Sequence, residues 1–439
     1  MRTAISAGDT AWVLVSTALV LLMLPGLALF YGGLVRARAT LNTFMMSFVA
    51  VAIVTVQWVL FGYSIAFSKG GFTGGLDWAG LNAVTSQAGP YSATIPHFAF
   101  IAFQSLFAGL AVALISGAAV ERIRFSAYIA FTILWSTLVY DPLAHWVWAS
   151  DGWLHKLGAL DFAGGTVVHI SAGTAALVAA LLLGRRRDVG RTPLLPHNVP
   201  FTLVGAGLLW VGWFGFNGGS ALAADGIAAT AVITTHTAAA TALVVWLMLD
   251  MWRSRQATAV GGATGAVVGL VAITPAAGYV SPISAIAIGA LAACASFVAI
   301  QLRSKTKIDD ALDVFACHGI AGIVGALLTG VFASKAVNPA GADGLIFGNS
   351  RTFLVQGLAV VCTIAYVAPA TLLIMKAISA VSAVRVRVAD ELSGVDLSEH
   401  GEHAYHGSET LEGGGHGVRI SDGVLLEPVS KSDGVSAAA

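Results

Sequence analysis

Long apolar runs separated by short polar segments dominate the chain. A membrane-spanning helix needs about 20 consecutive apolar residues, and eleven stretches meet that length: approximately 10–35, 41–67, 97–120, 125–148, 162–184, 200–220, 226–252, 257–275, 282–302, 311–333 and 351–384. The pattern predicts an all-α polytopic membrane protein. The last run, at 1.5 Å per residue, reaches roughly 50 Å, longer than the ~30 Å hydrocarbon core. It must tilt or project beyond the membrane, with Pro369 placed to bend it. Residues 1–9 form a short segment before the first span, and residues 385–439 a polar tail.

Charge in the connecting loops tests the count independently. Arg36/Arg38, Arg122/Arg124, Arg185/Arg186/Arg187/Arg191, Arg253/Arg255 and Arg303/Lys305/Lys307 fall in alternate loops, whereas the other loops hold only Lys69, Lys156, Lys335 and Arg351. Lys and Arg accumulate on the cytoplasmic side. The expectation is an N-terminus outside, a cytoplasmic tail and a location in the cell's inner membrane. The first apolar run exceeds a typical signal-peptide core and reads as a span.

Composition agrees with this picture. Charged residues make up 10% of the chain and hydrophobic residues 57%, against about 25% charged in soluble domains. The formal net charge is zero, so nothing points to nucleic acid. Cys294, Cys317 and Cys362 sit apart in apolar runs, without metal-site spacing, and read as free buried thiols. Gly261/Gly265/Gly269 and Gly215/Gly219 form small-residue ridges that imply close helix packing and a tight bundle.

Two of the runs echo each other. His169-Ile-Ser-Ala-Gly173 and His318-Gly-Ile-Ala-Gly322 both read H-x-x-A-G, five spans apart. An odd number of spans inverts the second copy. The expected architecture is therefore two inverted five-helix repeats, about 10–184 and 200–333, followed by the long tilted helix 351–384. Inverted repeats place their sites at mid-membrane on the repeat interface. A histidine at that depth is costly, and usually functional. Two imidazoles together could share one N–H···N bond and line a narrow path. A metal there would have two histidines and no carboxylate or thiolate, too few ligands, so no cofactor or metal is expected.

Other candidates carry two readings each. Asp161 opens the span that holds His169; it could cap the helix or favour a cation arriving from outside. Phe103 and Phe107 share one helix face, and Trp148 ends span four. Each fits packing or an interfacial aromatic belt, and together they could bind a small cation over their rings. In Gly212-Trp-Phe-Gly-Phe-Asn-Gly-Gly-Ser220, Phe216 could plug a path and Ser220 offer a hydroxyl acceptor.

These motifs assemble into a resemblance. Along Phe30-Tyr-Gly-Gly33, Glu121-Arg-Ile-Arg-Phe125, Asp161-Phe-Ala-Gly-Gly-Thr-Val-Val-His169, Gly212-Trp-Phe-Gly-Phe-Asn217, Thr274-Pro-Ala-Ala-Gly278, Asp313-Val-Phe-Ala-Cys-His-Gly319 and His400-Gly401, the chain resembles the ammonium transporter/methylammonium permease/Rhesus family. The resemblance implies a homotrimer with one pore per subunit, transporting ammonium or methylammonium and without enzymatic activity. It implies an outer ammonium recruitment site of Phe103, Phe107, Trp148 and Ser220, with Ala163 and Gly164 as nearby backbone positions. It further implies a gate of Phe107 and Phe216, twin pore histidines His169 and His318, and Asp161 as the carboxylate needed for transport. Trp148 and Ser220 together favour the ammonium-transporter branch over the Rhesus branch, a neutral ammonia channel. The segment Gly394-Val-Asp396-Leu-Ser-Glu-His400-Gly-Glu-His403-Ala-Tyr405 resembles the family's cytoplasmic tail and implies regulation by a PII-type signal protein. An ammonium sensor signalling through that tail is the alternative. After Ser408 the match fades into a polar extension; His400, His403, His406 and His416 could suggest metal binding, but no metal site is expected there.

Overall fold

The computed structural model describes residues 5–191 and 194–405, with short stretches at 420–421 and 424–425. His406, His416 and most of the extension after Ser408 lie outside the described residues. Among the described residues ten helices are long and apolar enough to cross a membrane, and an eleventh, Ala259–Ile273, is shorter but apolar. In chain order they are α1 (Ala7–Leu34), α2 (Ala37–Phe67), α3 (His97–Ala119), α4 (Phe125–Leu157), α5 (Gly165–Leu183), α6 (Val199–Gly219), α7 (Gly226–Ser254), α8 (Ala259–Ile273), α9 (Pro282–Arg303), α10 (Phe315–Phe332) and α11 (Ser350–Val381). These are the eleven expected spans, with ends shifted by a few residues. The crossing part of α4 ends at Trp148, and a separate turn, Trp153–Leu157, comes after it.

Burial is inverted relative to a water-soluble protein. Leu14, Phe48, Val56, Leu60, Met248, Leu354 and Leu373 are among many large apolar side chains that face outward, whereas His169, Asp161, Gln57 and Asp141 are inside. Such an apolar exterior belongs in lipid. The small residues expected to let helices approach do so: an added Cβ at Gly269 would lie 2.4 Å from the Ala238 carbonyl of α7. The long last helix has 32 residues with Pro369 inside it.

The Arg-rich side is held by a buried ionic network. Glu121 bridges Arg36 at 2.9 Å and Arg186 at 3.2 Å, and Arg186 reaches Asp309 at 2.9 Å. The tail folds back onto this side as two short helices, α12 (Val388–Ser393) and α13 (Val395–His400). Glu391 pairs with Arg385 at 2.7 Å. Asp396 accepts from the amides of Leu41 and Asn42 at 3.1 and 2.8 Å, near the start of α2, and Tyr405 meets His197 at 2.9 Å.

Candidate functional site

Each of the two membrane histidines sits on a π turn, where the backbone bond spans five residues rather than four. His169 lies in Gly165–Ile170 and His318 in Phe315–Ile320, and the His169 amide donates to the Gly164 carbonyl at 3.0 Å. Such turns interrupt the regular ladder and cluster at functional sites. The glycines of the two H-x-x-A-G copies explain how the turns meet. An added Cβ at Gly173 would lie 2.2 Å from the Gly319 amide nitrogen; one at Gly322 would lie 3.3 Å from the His169 Cβ. Each copy's glycine thus makes room for the other copy's histidine turn. The result is a His169–His318 contact with Nδ1 atoms 3.3 Å apart and rings inclined by 23°. One nitrogen must donate and the other accept, so the pair shares a single proton along that line. His169 Nε2 has no partner among the described residues and is free to meet a solute.

The carboxylate of Asp161 organises the start of α5. The expectation of a span opening at about 162 is corrected: the helix begins at Gly165, after a non-helical Asp161–Gly164 stretch in which Gly164 has φ +112°. The reason is capping from a distance. The two carboxylate oxygens accept from the amides of Gly164, Gly165, Thr166 and Val167 at 2.9, 2.5, 2.8 and 3.2 Å, and from the Thr166 hydroxyl. Helix starts leave their first amides without intrahelical partners, and here one buried side chain serves them all. The Asp161 carbonyl in turn accepts from Trp148 Nε1 at 2.9 Å.

Above the histidines the aromatic candidates are joined. Phe107 and Phe216 stack with ring centres 4.0 Å apart and planes at 15°. Phe103 packs against Phe107 at 4.8 Å, and Trp148 approaches it edge-on at 6.2 Å. Ser220, one turn after Phe216, donates its hydroxyl to the Phe216 carbonyl at 2.8 Å, which leaves its oxygen able to accept. Ala163 is buried in the Asp161–Gly164 stretch.

Below the stacked rings lies a cavity of about 20 Å³, bounded by Phe216, Trp213, His169 and His318 and otherwise by apolar residues such as Leu27, Leu110, Leu114 and Val267. That is room for roughly one water. Phe30, Tyr31, Val267 and His318 also line a wider vestibule of about 330 Å³ that reaches Asp250, Gln301 and Asp313 on the Arg-rich side. The order through the protein is therefore aromatic cluster, stacked phenylalanines, His169, His318, vestibule.

Sequence reasoning missed three features. Trp213 stacks on His169 at 5.4 Å and donates to Thr274 Oγ1 at 2.9 Å, fixing the imidazole plane; its place one turn before Phe216 was the available signal. Asp310 stands eight residues before His318, as Asp161 does before His169, and accepts from the Phe315 amide at 2.7 Å. The shared spacing D-x7-H could have revealed it. Asp141, buried within α4, stood as a lone carboxylate in an apolar run.

Eleven apolar helices, with an apolar exterior and buried polar side chains such as His169, His318, Asp141 and Asp161, define a multi-pass membrane protein. The profile of the Ammonium Transporter Family matches residues 11–405. An ammonium transporter of Bacillus subtilis is 49% identical over 403 residues, covering 91% of this chain and 99% of its own. The Archaeoglobus fulgidus transporter Amt1 is 44% identical, with coverage of 91% and 100%. The crystal structure of Saccharomyces cerevisiae Mep2 superposes with a TM-score of 0.83 at 36% identity, over 88% of this chain and 91% of that one. A structure described as a sensor Amt protein gives 0.82 at 30% identity, over 90% and 98%. The chain belongs to the Ammonium Transporter Family.

Proposed function

We propose that the protein transports ammonium along this path. The observation that carries the reading is the one-water cavity closed outside by the Phe107–Phe216 stack and crossed by the His169–His318 pair. Phe103, Phe107 and Trp148 offer ring faces to a cation, about 0.5–2 kcal/mol each, and Ser220 accepts a hydrogen bond from it. Asp161 adds a negative charge just behind Trp148. A cation cannot keep its water in so narrow a cavity, and taking a bare charge into an apolar interior is prohibitive. Ammonium has an escape that potassium lacks: it gives up a proton near the gate and crosses as ammonia. Ammonia can donate to and accept from the imidazoles, while the proton moves separately along His169 and His318. The pair, the stack and Asp161 thereby combine recruitment with selection.

Residues 10–384 form the transporter domain, with repeats at about 10–184 and 200–333 and the last helix at about 351–384; the N-terminus lies outside and the tail in the cytoplasm, in the inner membrane. Homotrimer formation is supported by His236, which faces outward ten residues into α7, beside an open groove lined by Trp12, Phe214 and Asp225. An ionisable side chain at that depth is costly in lipid, and a second subunit would cover it. The folded-back tail suits regulation by a PII-type protein. Proteoliposomes given an ammonium jump test the reading, with potassium as control. An ammonium-dependent current absent with potassium is expected. Internal alkalinisation without current would indicate neutral ammonia conduction, and binding without either signal would favour a sensor.

A further inference from the structure

A second polar site lies between α2 and α4, away from the path. Asp141 is completely buried, and its carboxylate accepts from Gln57 Nε2 at 2.6 Å. The same Gln57 nitrogen reaches Thr137 Oγ1 at 3.2 Å. Asp141 Oδ1, Gln57 Oε1 and the Tyr140 hydroxyl have no partner among the described residues. Neither Gln57 nor Asp141 lines the narrow cavity.

The two residues border matching backbone irregularities. A π turn, Trp58–Gly62, begins immediately after Gln57, and another, Ser136–Tyr140, ends immediately before Asp141. Gly62 supplies the niche for the Gln57 amide, since a Cβ there would lie 2.5 Å from Gln57 Oε1. A π turn adds one residue to a helical turn and so rotates the remainder of the helix by about 100°. In α4 the segment so re-aimed is Asp141–Trp148, whose last residue belongs to the outer aromatic cluster. On the other side, Trp58 donates to the Ile101 carbonyl at 3.2 Å, two residues before Phe103. Trp58 also meets Tyr140 edge-on at 6.4 Å. The Gln57–Asp141 bond thus joins the two irregular turns that aim Trp148 and support Phe103. Plain packing would not require it, because an apolar pair of similar size serves packing without the cost of a buried carboxyl.

We propose that Gln57 and Asp141 are a positioning pair for the outer cation site: their bond holds the register of the two π turns and so sets the orientation of Trp148 over Phe107. This rests on the recruitment reading given above. The test is the half-saturating ammonium concentration of the proteoliposome current for Asp141→Leu, Gln57→Leu and Asp141→Asn, with Trp148→Ala alongside. Losing one ring face of about 0.5–2 kcal/mol corresponds to a rise of roughly 2- to 30-fold. That rise is expected for both leucine variants, with maximal current retained. Asp141→Asn, which still accepts from Gln57 Nε2, should stay within about twofold. Half-saturation unmoved in the leucine variants while yield or maximal current falls would make the pair a packing feature and overturn the proposal. An unmoved value in Trp148→Ala would instead sink the recruitment reading, and the proposal with it. Should Asp141→Leu fail to assemble, Gln57→Leu decides alone.

Discussion

Replacing Asp161 with alanine should be among the most damaging single changes in the chain, and the structure sets its size. The carboxylate serves four backbone amides and the Thr166 hydroxyl, and its side chain is only 7% exposed. A buried donor left without a partner costs about 1–3 kcal/mol. Water entering from the outer side would serve the amides nearest the surface, so counting two of the four as orphaned gives a loss of roughly 2–6 kcal/mol. Asp161→Asn retains one carbonyl acceptor but turns an NH2 group toward amides that need acceptors, and should fall between wild type and alanine. The assay is thermal melting in detergent without ammonium, which separates folding from transport. Wild type should melt highest, then Asp161→Asn, then Asp161→Ala. An alanine variant melting within about 1 °C of wild type, a shift worth roughly 1 kcal/mol in a chain this long, would refute the reasoning.

Other outcomes are set by the same geometry. Gly173→Val pushes side-chain atoms into the Gly319 backbone, 2.2 Å from the position of the first added carbon; overpacking of about 1–3 kcal/mol should lower the melting temperature and disturb transport. Phe216→Leu removes one partner of the 4.0 Å stack, forfeiting about 0.5–1.5 kcal/mol of ring pairing; it should leave potassium excluded while ammonium passage persists, as read by paired currents. Burial alone would raise the Glu121 carboxyl, but Arg186 and Arg36 outweigh it and hold the group below its ordinary range. A depressed acid contributes stability above its unfolded pKa, and that contribution disappears as pH falls through the lower folded value. Melting measured from about pH 6 down to pH 3, spanning the usual carboxylate range, should therefore drop more steeply for wild type than for Glu121→Gln.

The helices were legible because lipid imposes a length and the Arg-bearing loops alternate, two constraints that a miscount would violate together. The twin histidines were legible from their shared H-x-x-A-G frame and their depth. Their contact was not, since it depends on Gly173 and Gly322 admitting the opposite turn, which only a packed structure displays. The π turns left no mark in the pattern: in runs apolar on every side, one extra residue per turn does not disturb any visible periodicity. That is why the re-aimed Asp141–Trp148 segment is invisible in the sequence. Asp310 was within reach, because its eight-residue spacing to His318 repeats that of Asp161 to His169. For Asp161 the expected cap is present, and it reaches further than a single amide.

The central claim is that the His169–His318 pair makes the path selective for ammonium. The most direct test compares currents after ammonium and potassium jumps in liposomes holding wild type or His169→Ala. The account predicts ammonium current alone for wild type, and a variant that either admits potassium or loses its ammonium current. A His169→Ala protein that still carried ammonium and still refused potassium would contradict it.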